Sequence, residues 1–148
     1  VNGLSGQPIQ TLKAEQKYGA SRIDFYAKTA SDQFLIEVKG VTLEENGVAK
    51  FPDAPTQRGI RHLQELTQAC ACGYKAIIFF VIQMNNARIF SPNWKTHPAF
   101  GEALRTAQGK GVSIYAKNCK VTPNSLSIQN TIPVTLDLPK NNTMKALL

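Results

Sequence analysis

"RIDFYAKTASDQFLIEVKG", residues 22–40, places two short alternating apolar runs on either side of a turn. In the first run Ile23 and Phe25 alternate with Arg22, Asp24 and Tyr26. In the second, Ile36 and Val38 share one face while Leu35, Glu37 and Lys39 share the other. A period of two is the mark of a strand, and the Thr29-to-Gln33 stretch between the runs is rich in turn formers, so the spacing predicts an antiparallel hairpin. With the turn centred near Ala30 and Ser31, facing residues have numbers that sum to about 61. Asp24 is then set across from Glu37, and Arg22 across from Lys39.

Two facing carboxylates are unfavourable. Like charges directly opposed destabilise a strand pair, and desolvated carboxylates so close resist joint ionisation unless a cation lies between them. A hard divalent ion, Mg²⁺ or Mn²⁺, suits the position, because such an ion takes oxygen ligands and is commonly held by one or two carboxylates plus substrate phosphate. Lys39 shares its face with Glu37, so its ammonium can reach attacking water or the charge that builds on phosphate. Glu-x-Lys alone also describes a solvent-facing charge pair of little consequence.

Outward from the hairpin, "LKAEQKYGA" reads as a short strand before it. After it, "DAPTQRGIRHLQELTQACACG" is predicted to be a helix, with Thr56 as N-cap and Gly73 as stop. Ile60, Leu63, Leu66 and Cys70 form its apolar stripe, and Arg58, Arg61, His62, Glu65 and Gln68 point elsewhere. "KAIIFFVIQ" has the length and continuous apolarity of a strand covered on both faces. "HPAFGEALRTAQGKG" is a second helix, with Pro98 in its first turn and His97 as a cap beside it. "VSIYAKNC" through "SIQNTIPVTL" reads as short strands, and the last ten residues as a loose tail.

A chain of 148 residues, 43% hydrophobic and 18% charged, has the size of one globular domain, which argues against disorder and repeats. Its formal charge of +7 favours polyanionic partners such as nucleic acid. From Ala103 onward six cations face only Asp137. Cys70, Cys72 and Cys119 are odd in number and lack the spacing of zinc or thioredoxin motifs, so they are read as reduced thiols of a cytoplasmic protein. No apolar run is long enough to span a bilayer and the first residues are not those of a signal peptide, so no membrane association is expected. The lack of an initiator Met fits a fragment or a processed product.

"GASRIDF", "IEVKGVTL", "FPDAPTQRGIRHLQEL" and "AIIFFVIQ" occur in this order, and together they closely resemble the sugar fermentation stimulation protein A family. The resemblance runs from about Leu12 to Leu136, and its most distinctive string is Phe51-Pro52-Asp53-Ala54 leading to Thr56, Arg58-Gly59 and His62-Leu63. It implies an α/β, restriction-endonuclease-like mixed sheet flanked by helices, of the PD-(D/E)xK nuclease superfamily. Residues 12–136 would form the nuclease-like domain, 1–11 a linker or N-terminal extension, and 137–148 the tail. The upstream barrel of the oligonucleotide-binding type that members generally carry is not recognisable here, nor is the helix that opens their nuclease fold. One face of the sheet is then expected to be exposed unless "LSGQPIQTL" or the tail covers it.

The superfamily motif carries over as Asp24, then Glu37 and Lys39, in agreement with the hairpin. Glu15 occupies an acidic position seen in similar members, which implies a third metal ligand or else a surface strand acid. Arg58 and His62 belong to the family's helix motif and share a helix face, where they could contact phosphate or buttress the site; Arg22 joins them as a candidate nucleic-acid contact. The expected activity is metal-dependent hydrolysis of DNA or RNA phosphodiesters. A non-catalytic DNA-binding regulator of sugar-metabolism genes is the alternative.

Overall fold

A computed structural model describes residues 6–138. The elements in chain order are β1 (Thr11–Tyr18), β2 (Ser21–Lys28), β3 (Gln33–Val41), β4 (Leu43–Glu45), β5 (Val48–Phe51), α1 (Gln57–Ala71), β6 (Lys75–Ile82), β7 (Ile89–Pro92), α2 (Pro98–Gly109), β8 (Ser113–Thr122) and β9 (Ser125–Ile132). Six strands form a mixed sheet in the order β1-β2-β3-β6-β8-β9, and β4-β5-β7 form a small second sheet. The centre of the large sheet, β3-β6-β8, is parallel, and its outer pairs are antiparallel. Parallel neighbours need crossover connections. Here α1 lies in the crossover from β3 to β6, and α2 in that from β6 to β8.

The β2–β3 register is the expected one: Phe25 faces Ile36, Tyr26 faces Leu35, Ala27 faces Phe34 and Lys28 faces Gln33. The predicted strict alternation of β2 does not hold throughout. Ile23 and Tyr26 both pack into the main core, whereas Ala27 belongs to a smaller cluster on the opposite face. An unbroken strand would keep Ile23, Phe25 and Ala27 together, so the alternation slips at Asp24. β1 is irregular at the same level: the pairs Ala14↔Phe25 and Gln16↔Ile23 flank Glu15, whose φ of 54° is in the left-handed region.

Helix α1 begins where its cap directs. Thr56 is extended and its Oγ1 accepts from the Gly59 backbone N–H at 2.9 Å, which satisfies one of the orphan donors of the first turn. His97 stands at the N-cap position of α2 without capping it. Its Nδ1 instead accepts from the Thr56 N–H at 3.1 Å, tying the starts of the two helices together. Gly59 is required by close approach, since a Cβ there would lie 2.8 Å from Thr56 Cγ2 and 3.2 Å from Phe100.

Both helices cover one face of the sheet. Leu63, Leu66 and Ala69 from α1 and Phe100, Leu104 and Ala107 from α2 close over Leu35, Ile78, Phe80 and Ile82. Each large side chain removed from water this way contributes about 1.5–3 kcal/mol. The other face is only partly covered, contrary to the expectation for β6: Ile9, from the segment before β1, packs with Ile36 and Phe79 against Ala27, Phe34 and Ile77. Further along that face Tyr115 is 47% exposed. All three cysteines are free, with Cys70 packed partly against the main core. Among the described residues no helix is long and apolar enough to cross a membrane. The predicted tail falls on residues 139–148, outside the described residues.

Candidate active site

The ladder between β2 and β3 ends at Phe25 and Ile36, one residue before the two acids. Beyond that point carboxylates replace carbonyls as acceptors. Asp24 Oδ2 accepts from the Val38 N–H at 2.8 Å, and Glu37 Oε2 accepts from the Asp24 N–H at 3.3 Å. The backbone groups that the parted strands would leave unmatched are thus bonded by the acids themselves, which fixes both side chains at the mouth of the opening.

Glu37 lies under α1, only 3% exposed. Its Oε1 is approached by Lys39 Nζ at 3.1 Å and by His62 Nδ1 at 2.9 Å, and those two nitrogens are 3.0 Å apart. The three contacts cannot all be hydrogen bonds at once. With Glu37 ionised, Oε1 accepts from Lys39 on one side and from His62 Nδ1–H on the other; for Lys39 to donate to Nδ1, that nitrogen must be bare. Burial pushes the Glu37 carboxyl above its ordinary range, with Lys39 opposing and Asp24 adding to the rise. Burial, with Lys39, Arg58 and Arg61 adding to it, lowers the His62 imidazole to about 4, so it is neutral at pH 7.

His62 was expected to point away from the core. It is instead buried, within the stripe Gly59, His62, Leu63, Leu66 and Ala69. A histidine can occupy a core-facing position when it finds a polar partner there, and Glu37 is that partner. Glu15 is not brought to the pair. It lies on exposed β1 at the register position opposite Asp24, and among the described residues no group of three His, Cys, Asp or Glu is arranged to hold a metal. Arg22 is not a ladder partner of Lys39, because pairing stops before it. It borders a cleft of about 240 Å³ between β2 and α1, lined by Ala20, Ser21, Arg22, Arg58, Arg61 and His62.

Arg61 was the omission on this wall. Its spacing of three from Arg58 puts the two on adjacent turns of one helix side, a signal the sequence did carry. Asp24, Glu37 and Lys39 therefore form one group and the arginines a second, with His62 shared between them.

A family model described as the sugar fermentation stimulation protein RE domain matches residues 2–125. A sugar fermentation stimulation protein homolog of Desulfitobacterium hafniense (strain Y51) is 51% identical over 130 residues, which are 88% of this chain and 57% of that protein. One from Ruminiclostridium cellulolyticum is 51% identical over 128 residues, 86% of this chain and 57% of the relative. Among solved structures, that of Pyrococcus furiosus SfsA in complex with Ca²⁺ is similar with a TM-score of 0.81 at 30% identity, covering 89% of this chain and 57% of that one. The chain thus spans little more than half the length of the relatives it matches.

Proposed function

Because the chain belongs to the sugar fermentation stimulation protein family and carries its RE domain, we propose that it forms the hydrolytic part of a metal-dependent nuclease acting on DNA or RNA phosphodiesters. The observation that carries this reading is the convergence of Asp24, Glu37 and Lys39 where β2 and β3 part.

The donor set suits a hard divalent cation. Asp24 and Glu37 offer only carboxylate oxygens, and the two are close enough for Asp24 to raise the Glu37 carboxyl. Two carboxylates, with water and substrate phosphate completing the shell, are a typical ligand set of Mg²⁺. The Ca²⁺ complex of the P. furiosus relative supports the same class of ion. Such an ion, when bound by Asp24 and Glu37, supplies Lewis acidity for attack of water on phosphorus.

The chain's own groups do the rest. Lys39 is 15% exposed at its side chain, enough for Nζ to turn from Glu37 towards water or a phosphoryl oxygen, where its charge favours the transition state over the ground state. Neutral His62 fixes the Glu37 carboxylate and adds no competing charge. Arg22 and Arg58 hold the strand through its phosphates, so binding should weaken steeply with salt and depend little on sequence.

Incubation of the protein with labelled single- and double-stranded DNA and RNA, in Mg²⁺, Mn²⁺ or EDTA, tests the reading. Cleavage is expected with metal only. Lys39→Met should lower the single-turnover rate ~10² to 10³-fold while nucleic-acid affinity changes by a small factor. A folded wild type that binds and never cuts under any metal would make this a binding protein of the regulator class.

A further inference from the structure

Three arginines, Arg22 on β2 and Arg58 and Arg61 on α1, are among the residues that line one small cleft. Among the described residues none of them forms an ion pair with a carboxylate. Glu65, one turn beyond Arg61, accepts from Ser21 Oγ at 2.9 Å and does not neutralise them. Arg58 and Arg61 also sit near the start of a fifteen-residue helix whose first turn contains no acid. Cations there oppose the helix macrodipole. The arrangement concentrates positive charge at a point where the fold gains nothing from it, and its field helps hold His62 neutral.

We propose that this cleft receives a terminal phosphate monoester of the nucleic-acid strand. An internal phosphodiester carries one negative charge and two free oxygens. A monoester carries about −1.5 to −2 near pH 7 and three strong acceptor oxygens. A cluster of arginines matches the second better than the first, because each guanidinium can donate a pair of N–H groups to two oxygens. Position agrees with charge: His62 forms a wall of the cleft and also touches Glu37 at 2.9 Å. A strand end anchored here lies beside the carboxylate pair, so the protein would trim strands from an end. The nuclease reading is needed for that last step and not for recognition of the phosphate.

Binding in EDTA separates the two. One oligonucleotide sequence is prepared with a 5′-phosphate, with a 3′-phosphate, or with hydroxyls at both ends, and Kd is measured for each. One phosphorylated form should bind about tenfold tighter than the hydroxyl form, the size expected of a charge-assisted contact. Arg61→Gln and, on β2, Arg22→Gln should each bring the ratio close to one, and Arg61→Lys should leave part of it. Lys110→Gln, outside the cleft, should weaken all three forms alike. Equal Kd for the three forms, no binding of any, or a preference that survives both glutamine variants overturns the proposal. Equal Kd values in a protein that cuts in Mn²⁺ would leave the nuclease reading standing and remove only this subsite; a phosphate preference in EDTA in a protein that never cuts would do the reverse.

Discussion

From Phe25 to Lys28, β2 is joined to β3 by an ordinary antiparallel ladder; from Ser21 to Asp24 the same strand meets it only through two carboxylates. The zipped half contributes apolar side chains to both faces of the sheet, with Leu35 in the main core and Ala27 and Phe34 in the smaller cluster. The parted half contributes acids, a lysine and a buried histidine partner. A hairpin register can therefore specify a side-chain cluster without the hairpin being continuous: pairing at one end aims the side chains at the other, where carboxylates take over the missing ladder bonds.

The contrast breaks first under Leu35→Ala. Leu35 is 1% exposed within the main cluster, so the substitution removes apolar contact and leaves a cavity. It should cost about 2–5 kcal/mol of stability. Asp24→Asn, by contrast, keeps an oxygen able to accept from the Val38 N–H and should change stability in EDTA by less than about 1 kcal/mol. Urea unfolding of both variants measures the difference. Equal losses would mean that the parted end is as structural as the zipped one.

Much of this was legible beforehand because it is local. Thr56, the Ile60–Leu63–Leu66 stripe and Gly73 delimit α1 by short-range chemistry, and the turn at Ala30 and Ser31 fixes a register that brings Asp24 to Glu37. What was not legible depends on partners distant in the chain. The slip of β2 at Asp24 lies opposite the left-handed Glu15 on the neighbouring strand, which no local pattern in β2 announces. The burial of His62 depends on a carboxylate twenty-five positions earlier; without it a polar residue on that helix is naturally assigned to solvent. The strands β4, β5 and β7, three to four residues each, are too short to show a period. The arginine cleft exists only because β2 and α1 are brought side by side.

A smaller effect sharpens the role of the acids. If Asp24 and Glu37 share a cation as proposed, a ligand that binds only the folded state adds about 2.7 kcal/mol at a hundred times its Kd. The melting temperature of the wild type should rise with millimolar Mg²⁺ or Mn²⁺, and that of Asp24→Asn should not. A wild-type melt indifferent to both ions would remove the metal from the proposal and leave the Asp24–Glu37 contact as a device that closes the end of the ladder.

The last effect concerns the protonation of the groups around Glu37. The native His62 titrates at about 4 against an ordinary 6.5, so between those values the unfolded chain binds a proton that the native one does not. Stability is then lost as pH falls through this window, by at most one proton or about 1.4 kcal/mol per pH unit. Glu37 acts in the opposite sense. Its carboxyl is raised from 4.5, so its contribution is full below that value and is lost as pH rises through its native one. The wild-type slope should accordingly be shallower than one proton. His62→Gln abolishes the first contribution, and the stability difference between wild type and variant, measured by urea unfolding in steps from pH 7 to pH 4, should shift against the wild type as pH falls. A difference that stays constant would show that His62 takes up its proton as easily in the fold as in water. A difference that moves the other way, in favour of the wild type as pH falls, would mean that Glu37 holds His62 as a charged ion pair, and the neutral buttress would be wrong.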